Sequence, residues 1–210
     1  LQGDFFNIEA PMNSGIFVKS TLKTRVKEYL SLIPQLIIFK NQLFKNQFIG
    51  KYRKICKNQS RWFNLEMIIQ AFIIKILYDR NILNGDVCTI GDGKAHFIFG
   101  VFDNPNINKI ISVNLPQALI QDYLVIKEVK LIDESLIKIV ENEKDLEDKK
   151  CKIFLVPVQN KDFLKDKNIN LFVNSFSFQE MPLEETKKYI DIAVSNNAYL
   201  YSLNNEQKTM

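Results

Sequence analysis

Between residues 84 and 204 the chain alternates short, almost purely apolar runs with longer segments whose apolar residues recur at three and four. The runs at 87–90, 110–114, 152–158, 171–174 and 198–203 predict strands. The segments 94–102, Pro116–Val129, 161–166 and Leu183–Ser195 predict helices. Pro116 takes a first-turn position, where its missing N–H costs nothing. Residues 133–140 read as a further short helix, and 141–150 as a charged, exposed connector. Strands with few alternating polar residues, separated by helices, predict a parallel sheet covered on both faces.

The first 83 residues have a different pattern. Residues 1–20 read as irregular, with the turn formers Pro11, Asn13, Ser14 and Gly15. Residues 21–48 read as helical, with a break or kink at Pro34. Residues 50–60 read as a basic connector containing Lys51, Arg53, Lys54 and Lys57. Asn64 is placed to cap a helix over 65–80, with Glu66 in its first turn. The expected organisation is a helical region over 1–83, packed as a cap, and a sheet domain over 84–210.

Composition narrows the function. A net charge of +4 over 210 residues is mild, and without a concentrated basic stripe it argues against nucleic-acid binding. Cys56, Cys88 and Cys151 have no paired spacing and read as reduced residues, which points to a cytoplasmic location. With one histidine and no cysteine cluster, no metal site is expected. The apolar runs are too short or too interrupted to span a membrane.

Candidate chemistry starts at 87–95, V-C-T-I-G-D-G-K-A. Here an apolar run ends in two glycines one residue apart and a helix follows. A backbone without a Cβ admits a ligand closely, and the free N–H groups of a helix start favour anionic or polar groups. Strand–glycine turn–helix units hold nucleotide-like cofactors at the carboxyl ends of parallel sheets. The glycines alone do not separate a methyltransferase from a dehydrogenase.

The order of strand ends does. The second strand ends in V-N-L-P, the third in P-V-Q-N and the fourth in F-V-N-S-F-S-F-Q-E-M. Together these resemble a class I S-adenosylmethionine-dependent methyltransferase. The stretch Asn174-Ser175-Phe176-Ser177-Phe178-Gln179-Glu180-Met181-Pro182, with Tyr199-Leu200-Tyr201-Ser202-Leu203-Asn204, resembles the sugar O-methyltransferase family. The resemblance implies an α/β, Rossmann-like sheet in the order 3-2-1-4-5, with S-adenosyl-L-methionine as cofactor and a sugar or glycan hydroxyl as acceptor. Such sheets usually carry strands six and seven, which residues after Leu203 cannot supply. A shortened sheet or a longer natural chain is therefore expected, with an edge strand open to homodimer pairing.

On that resemblance Gly91 and Gly93 match the cofactor loop, with Asp92 between them and Ala95 at the third glycine position. Thr89 and Asn114 stand where the family carries acids, Asn114 facing the ribose hydroxyls. Gln159 and Asn160 fall where adenine contacts lie. Asn174 ends the fourth strand near the transferable methyl, and Ser175, Ser177 and Gln179 are expected to meet the acceptor. Glu180 and His96 are candidate bases. Each has a plainer alternative: His96 as a partly buried histidine, Glu180 as an acid favouring a helix start, Gln159 and Asn160 as turn formers. Phe176 and Phe178 read as core, and Trp62 either stacks on a sugar or packs the helical region. Two further functions stay open. One is a cofactor-free, methyltransferase-like interaction domain, consistent with Thr89 and Asn114. The other is an NAD-dependent oxidoreductase, which would want an acid near residue 114.

Overall fold

A computed structural model describes residues 40–58 and 63–204, together with Val26, Leu30, Ile33, Pro34 and Ile37. Expectations for residues 1–20 and Trp62 lie outside the described residues. The chain divides between Lys75 and Ile76 into two compact units.

The first unit holds helices α1 (Lys40–Lys45), α2 (Gln47–Asn58) and the start of α3 (Leu65–Asp79). Pro34 stands at a helical position, and a helix break falls at Asn46. The Asn46 side chain accepts from Phe48 N–H at 2.9 Å and donates to the Ala71 carbonyl at 3.0 Å, so it starts α2 and ties it to α3. The expected connector over 50–60 is mostly helix. Ile49, Tyr52, Ile55 and Cys56 recur at helical spacing and are buried, while Arg53, Lys54 and Lys57 lie on the exposed side. The charges gave the segment a loop-like composition, but its apolar stripe decides the structure. Asn64 Oδ1 accepts from Met67 N–H at 3.2 Å and caps α3.

The second unit is an open sheet of six strands, all parallel. In chain order they are β1 (Gly85–Ile90), β2 (Ile107–Asn114), β3 (Ile137–Ile139), β4 (Ile153–Pro157), β5 (Leu171–Ser175) and β6 (Tyr199–Leu203). Across the sheet the order is β3-β4-β2-β1-β5-β6. Helices α4 (His96–Val101), α5 (Pro116–Val129) and α6 (Leu183–Ser195) connect them. The five-strand sheet expected from sequence had no counterpart to β3. The predicted helix over 133–140 is one 3-10 turn, Glu134–Leu136, followed by that strand. Asp133 accepts from Ser135 N–H at 2.9 Å and caps the start of the turn, and β-branched Ile137 and Ile139 continue as strand.

Two other segments differ. The connector over 141–150 contains a 3-10 turn, Glu143–Glu147, held by Asp145 accepting from the N–H groups of Glu141 and Asn142, with Leu146 buried. The helix expected over 161–166 is a 3-10 segment, Val158–Leu164.

Chain direction sets the two faces. The path runs one way from β1 through α4, β2 and α5, and the other way from β5 through α6 to β6. Right-handed crossovers therefore put α4 and α5 on one face and α6 on the other. On the α6 face, Cys88, Ile90, Ile111, Val113, Phe154 and Phe172 pack with Tyr189, Ile192 and Ala193. Each such fully buried large side chain is worth about 1.5–3 kcal/mol. Surface ion pairs such as Lys127–Glu134 at 3.3 Å add about 0–1 kcal/mol, so core burial decides the fold. On the opposite face, Thr89 and Ser112 stand side by side in the β1–β2 register. No helix among the described residues is long and apolar enough to cross a membrane.

Asn196 closes the second unit. Its Oδ1 accepts from the N–H groups of Lys167 and Ile169, at 2.9 and 3.0 Å. Its Nδ2 donates to the carbonyls of Leu164 and Ile192, both at 2.8 Å. One amide thus ends α6 and fixes the approach to β5. Asn196→Ala is expected to cost about 2–3 kcal/mol, more than an ordinary surface substitution, as read by urea denaturation. A loss below about 0.5 kcal/mol would show that the loop holds itself.

Candidate functional site

β1 lies inside the sheet, and its chain leaves toward β2 while the chain from β5 leaves toward β6. Opposite departures from neighbouring strands make the switch point where open α/β sheets hold ligands. Residues 91–95 form the turn there. Gly91 has φ +70° and Gly93 +42°, and the next two residues, Lys94 at +68° and Ala95 at +55°, are left-handed without being glycine. Each of those two costs about 1–2 kcal/mol. Because of them the helix predicted from residue 94 begins at His96.

Two carboxylates hold this turn. Asp92 accepts from Phe97 N–H at 2.7 Å and Ile98 N–H at 3.1 Å, and so caps α4. Asp122, from α5, accepts from Ala95 N–H at 2.9 Å. Each such hydrogen bond is worth about 0.5–3 kcal/mol, the upper end when the acceptor is charged, and together they offset the left-handed strain. Asp92 was expected to meet the cofactor; its carboxylate is committed to the protein's own helix.

The pair is electrostatically costly. Burial pushes the Asp92 carboxyl up to about 7, helped by the neighbouring Asp122, against the opposing pull of Phe97 N–H, His96 and Ile98 N–H. Burial likewise raises Asp122 to about 7, against Ala95 N–H, the Asn114 side chain and Lys94 N–H. Asp122 is completely buried, and its Oδ2 makes no hydrogen bond within 3.5 Å. The Ser112 Oγ is buried without a partner as well. Thr89, Ser112, His96 and Asp122, each no more than 3% exposed, are among the seven buried polar residues of the described part of the chain.

The remaining predicted residues fall around the same carboxyl ends with different environments. Thr89 is buried in β1. Asn114, at the end of β2, accepts from Leu115 N–H at 2.9 Å. Asn160 donates to the Val140 carbonyl at 3.0 Å and joins the segment after β4 to that after β3, while Gln159 is exposed. Asn174 is fully buried. It donates to Ser202 Oγ and Asn204 Oδ1, at 2.9 and 3.0 Å, and accepts from Phe178 N–H at 2.9 Å, joining the ends of β5 and β6. Ser177 Oγ donates to the Gly91 carbonyl at 3.1 Å across the switch point. Ser175 and Gln179 are half-buried, and Glu180 is exposed on the 3-10 turn Phe178–Glu180. Phe176 is left-handed at φ +69°, its N–H held by the Leu203 carbonyl at 2.7 Å.

His96 is 1% exposed rather than partly buried, so its ring does not face a solvent-borne acceptor. Glu180 does face solvent, and the two candidate bases stand in opposite environments. Among the described residues, no group of three His, Cys, Asp or Glu is arranged to hold a metal ion.

The residue that sequence reasoning missed is Asp122. A signal for it existed: Leu119, Asp122, Val125, Ile126 and Val129 form the buried stripe of α5, with one acid among apolar side chains. A charged residue in a buried stripe is rare unless something binds it.

No protein-family model matches this chain, and no curated protein matches it.

The two glycines have different surroundings. A Cβ at Gly91 would overlap Ser177 Oγ and stand 2.8 Å from its Cβ, whereas a Cβ at Gly93 meets nothing within 4 Å. Gly93→Ala is expected to cost about 1 kcal/mol, from backbone conformation alone. Gly91→Ala should cost more, and adding Ser177→Gly should recover part of the loss only in the Gly91→Ala background. Equal costs by denaturant titration, with no recovery, would contradict this packing.

The carboxyl pair also sets a pH dependence. The folded chain keeps protons on Asp92 and Asp122 at pH values where an unfolded aspartate, near 4, has lost them. Its stability contribution therefore falls as pH rises from about 4 to about 7 and is flat above. Asp122→Asn should flatten the fall in Tm between pH 5 and pH 8. An equal slope in the variant would place the titrating groups elsewhere.

Proposed function

We propose that the chain is an S-adenosylmethionine-dependent O-methyltransferase that acts on a sugar or glycan hydroxyl. The observation that carries this reading is the left-handed turn after β1, set at the switch point of an all-parallel sheet, with open space in front of Gly93. The residues fit the cofactor on that side of the turn. Gly93 leaves room for close backbone approach, and the half-buried Asn114 side chain ends β2 beside it. Gly93 and Asn114 would hold the cofactor, with the exposed Gln159 bordering its far end.

When bound, the cofactor supplies an electrophilic methyl group on a sulfonium. The chain's own task is to orient the acceptor and take its proton. Glu180, exposed beyond the end of β5, suits removal of a hydroxyl proton, and half-buried Ser175 and Gln179 suit its orientation. Asn174 positions this segment through Phe178 N–H rather than by contact with the acceptor.

A second reading is favoured by one contact. Ser177 covers Gly91 and bonds its carbonyl, which fills part of the space a cofactor would occupy. On that reading the sheet is an interaction domain without cofactor. Calorimetry separates the two. The methyltransferase reading expects saturable binding of S-adenosylmethionine and none of NAD, with Gly93→Val weakening it at least about tenfold. With an accepted sugar, Glu180→Gln should lower kcat about 10²–10⁴-fold while leaving cofactor affinity unchanged. Binding of neither ligand supports the interaction domain, and binding of NAD alone supports an oxidoreductase.

A further inference from the structure

The net charge of +4 hides an uneven spread. Residues 19–61 hold eleven of the 28 Lys and Arg of the chain but one of its 24 Asp and Glu, Glu28, so the rest of the chain is net acidic. Within that basic stretch α2 buries Ile49, Tyr52, Ile55 and Cys56 and turns its other face to water. On that face Gly50, Arg53, Lys54 and Lys57 recur at three and four, with no acid among them. Arg53 lies over the Phe63 ring at 5.4 Å. Lys40 and Lys45, the two ends of α1, are exposed as well. Among the described residues none of these five cations forms an ion pair.

A second feature of the same unit is apolar. Val26, Leu30, Ile33 and Ile37 stand at helical positions spaced four, three and four, and each is between 38% and 71% exposed. That spacing sets them in one row along a helix face. Exposed Lys40 continues the row at the next three-residue step. A row of this kind is ordinarily spent on a core, as it is in α2. Left in water, contiguous apolar surface marks a contact with something outside the chain. We infer that the first unit docks on an anionic lipid surface, whose acyl layer takes the row over 26–37 and whose headgroups attract the cations of α1 and α2.

Charge chooses among the possible occupants. A second copy would cover the row but bring two stretches of the same excess positive charge together. A nucleic acid would take the cations and leave the aliphatic row in water, because its outer surface is phosphate. An anionic bilayer answers both features. Its acyl region accepts aliphatic side chains, and each Lys or Arg near the headgroups strengthens binding about fivefold. Lys40, in line with the row, reaches headgroup level along its own apolar stem. The other cations need not touch the lipid. Attraction extends over a Debye length of about 8–10 Å, close to the width of one helix. The row occupies a single face, so the helix lies in the plane of the interface. This surface belongs to the first unit and holds whether or not the sheet binds a cofactor.

Vesicle flotation of the full chain tests it. Binding is expected to vesicles of equimolar phosphatidylcholine and phosphatidylserine, not to phosphatidylcholine alone, and should weaken as salt is added. Leu30→Ser together with Ile37→Ser should weaken it at least about tenfold, because two aliphatic side chains leave the acyl layer. Lys54→Gln together with Lys57→Gln should weaken it about 10–30-fold, from about fivefold for each cation. All four side chains are exposed, so the thermal midpoints of both variants should stay close to that of the parent. Hydrogen exchange on the parent chain needs no variant: amides across 26–37 should gain protection on the acidic vesicles, and those of the sheet should not. No flotation with phosphatidylserine at any lipid concentration, or no gain of protection across 26–37, would overturn the proposal. Binding that the lysine pair loses and the Leu30 and Ile37 pair keeps, matched by equal affinity for a single-stranded oligonucleotide, would assign the cations to nucleic acid instead. A dimer seen by light scattering, dispersed by Leu30→Ser with Ile37→Ser and accompanied by no flotation, would assign the row to a second copy.

Discussion

Three backbone N–H groups bonded to two carboxylates, the half-buried Asp92 and the fully buried Asp122, set the geometry of the turn after β1. Without them Lys94 and Ala95 have no reason to be left-handed, and α4 has no cap. Asp122 reaches the turn from α5, so the same bond fixes two helices to one strand end. The cost is two like charges withdrawn from water, Asp122 fully and Asp92 in part. The chain meets it by raising both carboxyls toward neutrality, with His96 acting on Asp92 and the Asn114 side chain on Asp122. Ordinary packing on the other face, where α6 meets the strands, adds to the stability.

The second constraint is how much of the strand ends the protein uses for itself. Asn160, Asn174 and Ser177 each bond a neighbouring loop, strand or turn. Amides and hydroxyls placed where a cofactor is expected are thus partly structural. Gly93 stands apart, with left-handed backbone and nothing before it. The two glycines, one residue apart, thus differ in how much room their surroundings leave.

Much of this was legible in the sequence. Helices α5 and α6 follow directly from their periodicity, Pro116 and Pro182, and the central strands from apolar runs too short for helices. What was not legible depended on contacts distant in sequence. β3 is three residues long and exists because β4 is there to pair with it. The basic run in α2 hid a buried stripe, because charge was weighed above spacing. Asp92 was assigned to a ligand from its place between glycines, but its carboxylate is five and six residues from the N–H groups it caps. Asp122, twenty-seven residues from Ala95, could have been noticed as an acid in an apolar stripe, though its partner could not.

On the methyltransferase reading, the turn after β1 is the ligand-facing element of this sheet. Amide chemical-shift mapping during titration with S-adenosylhomocysteine tests it residue by residue. The largest changes are expected at Gly93 and Lys94, with smaller ones at Asn114 and Ser175, and little at the far ends of the strands near Gly85 and Ile107. Saturable changes confined to the opposite end of the sheet, or none at any concentration, would contradict it.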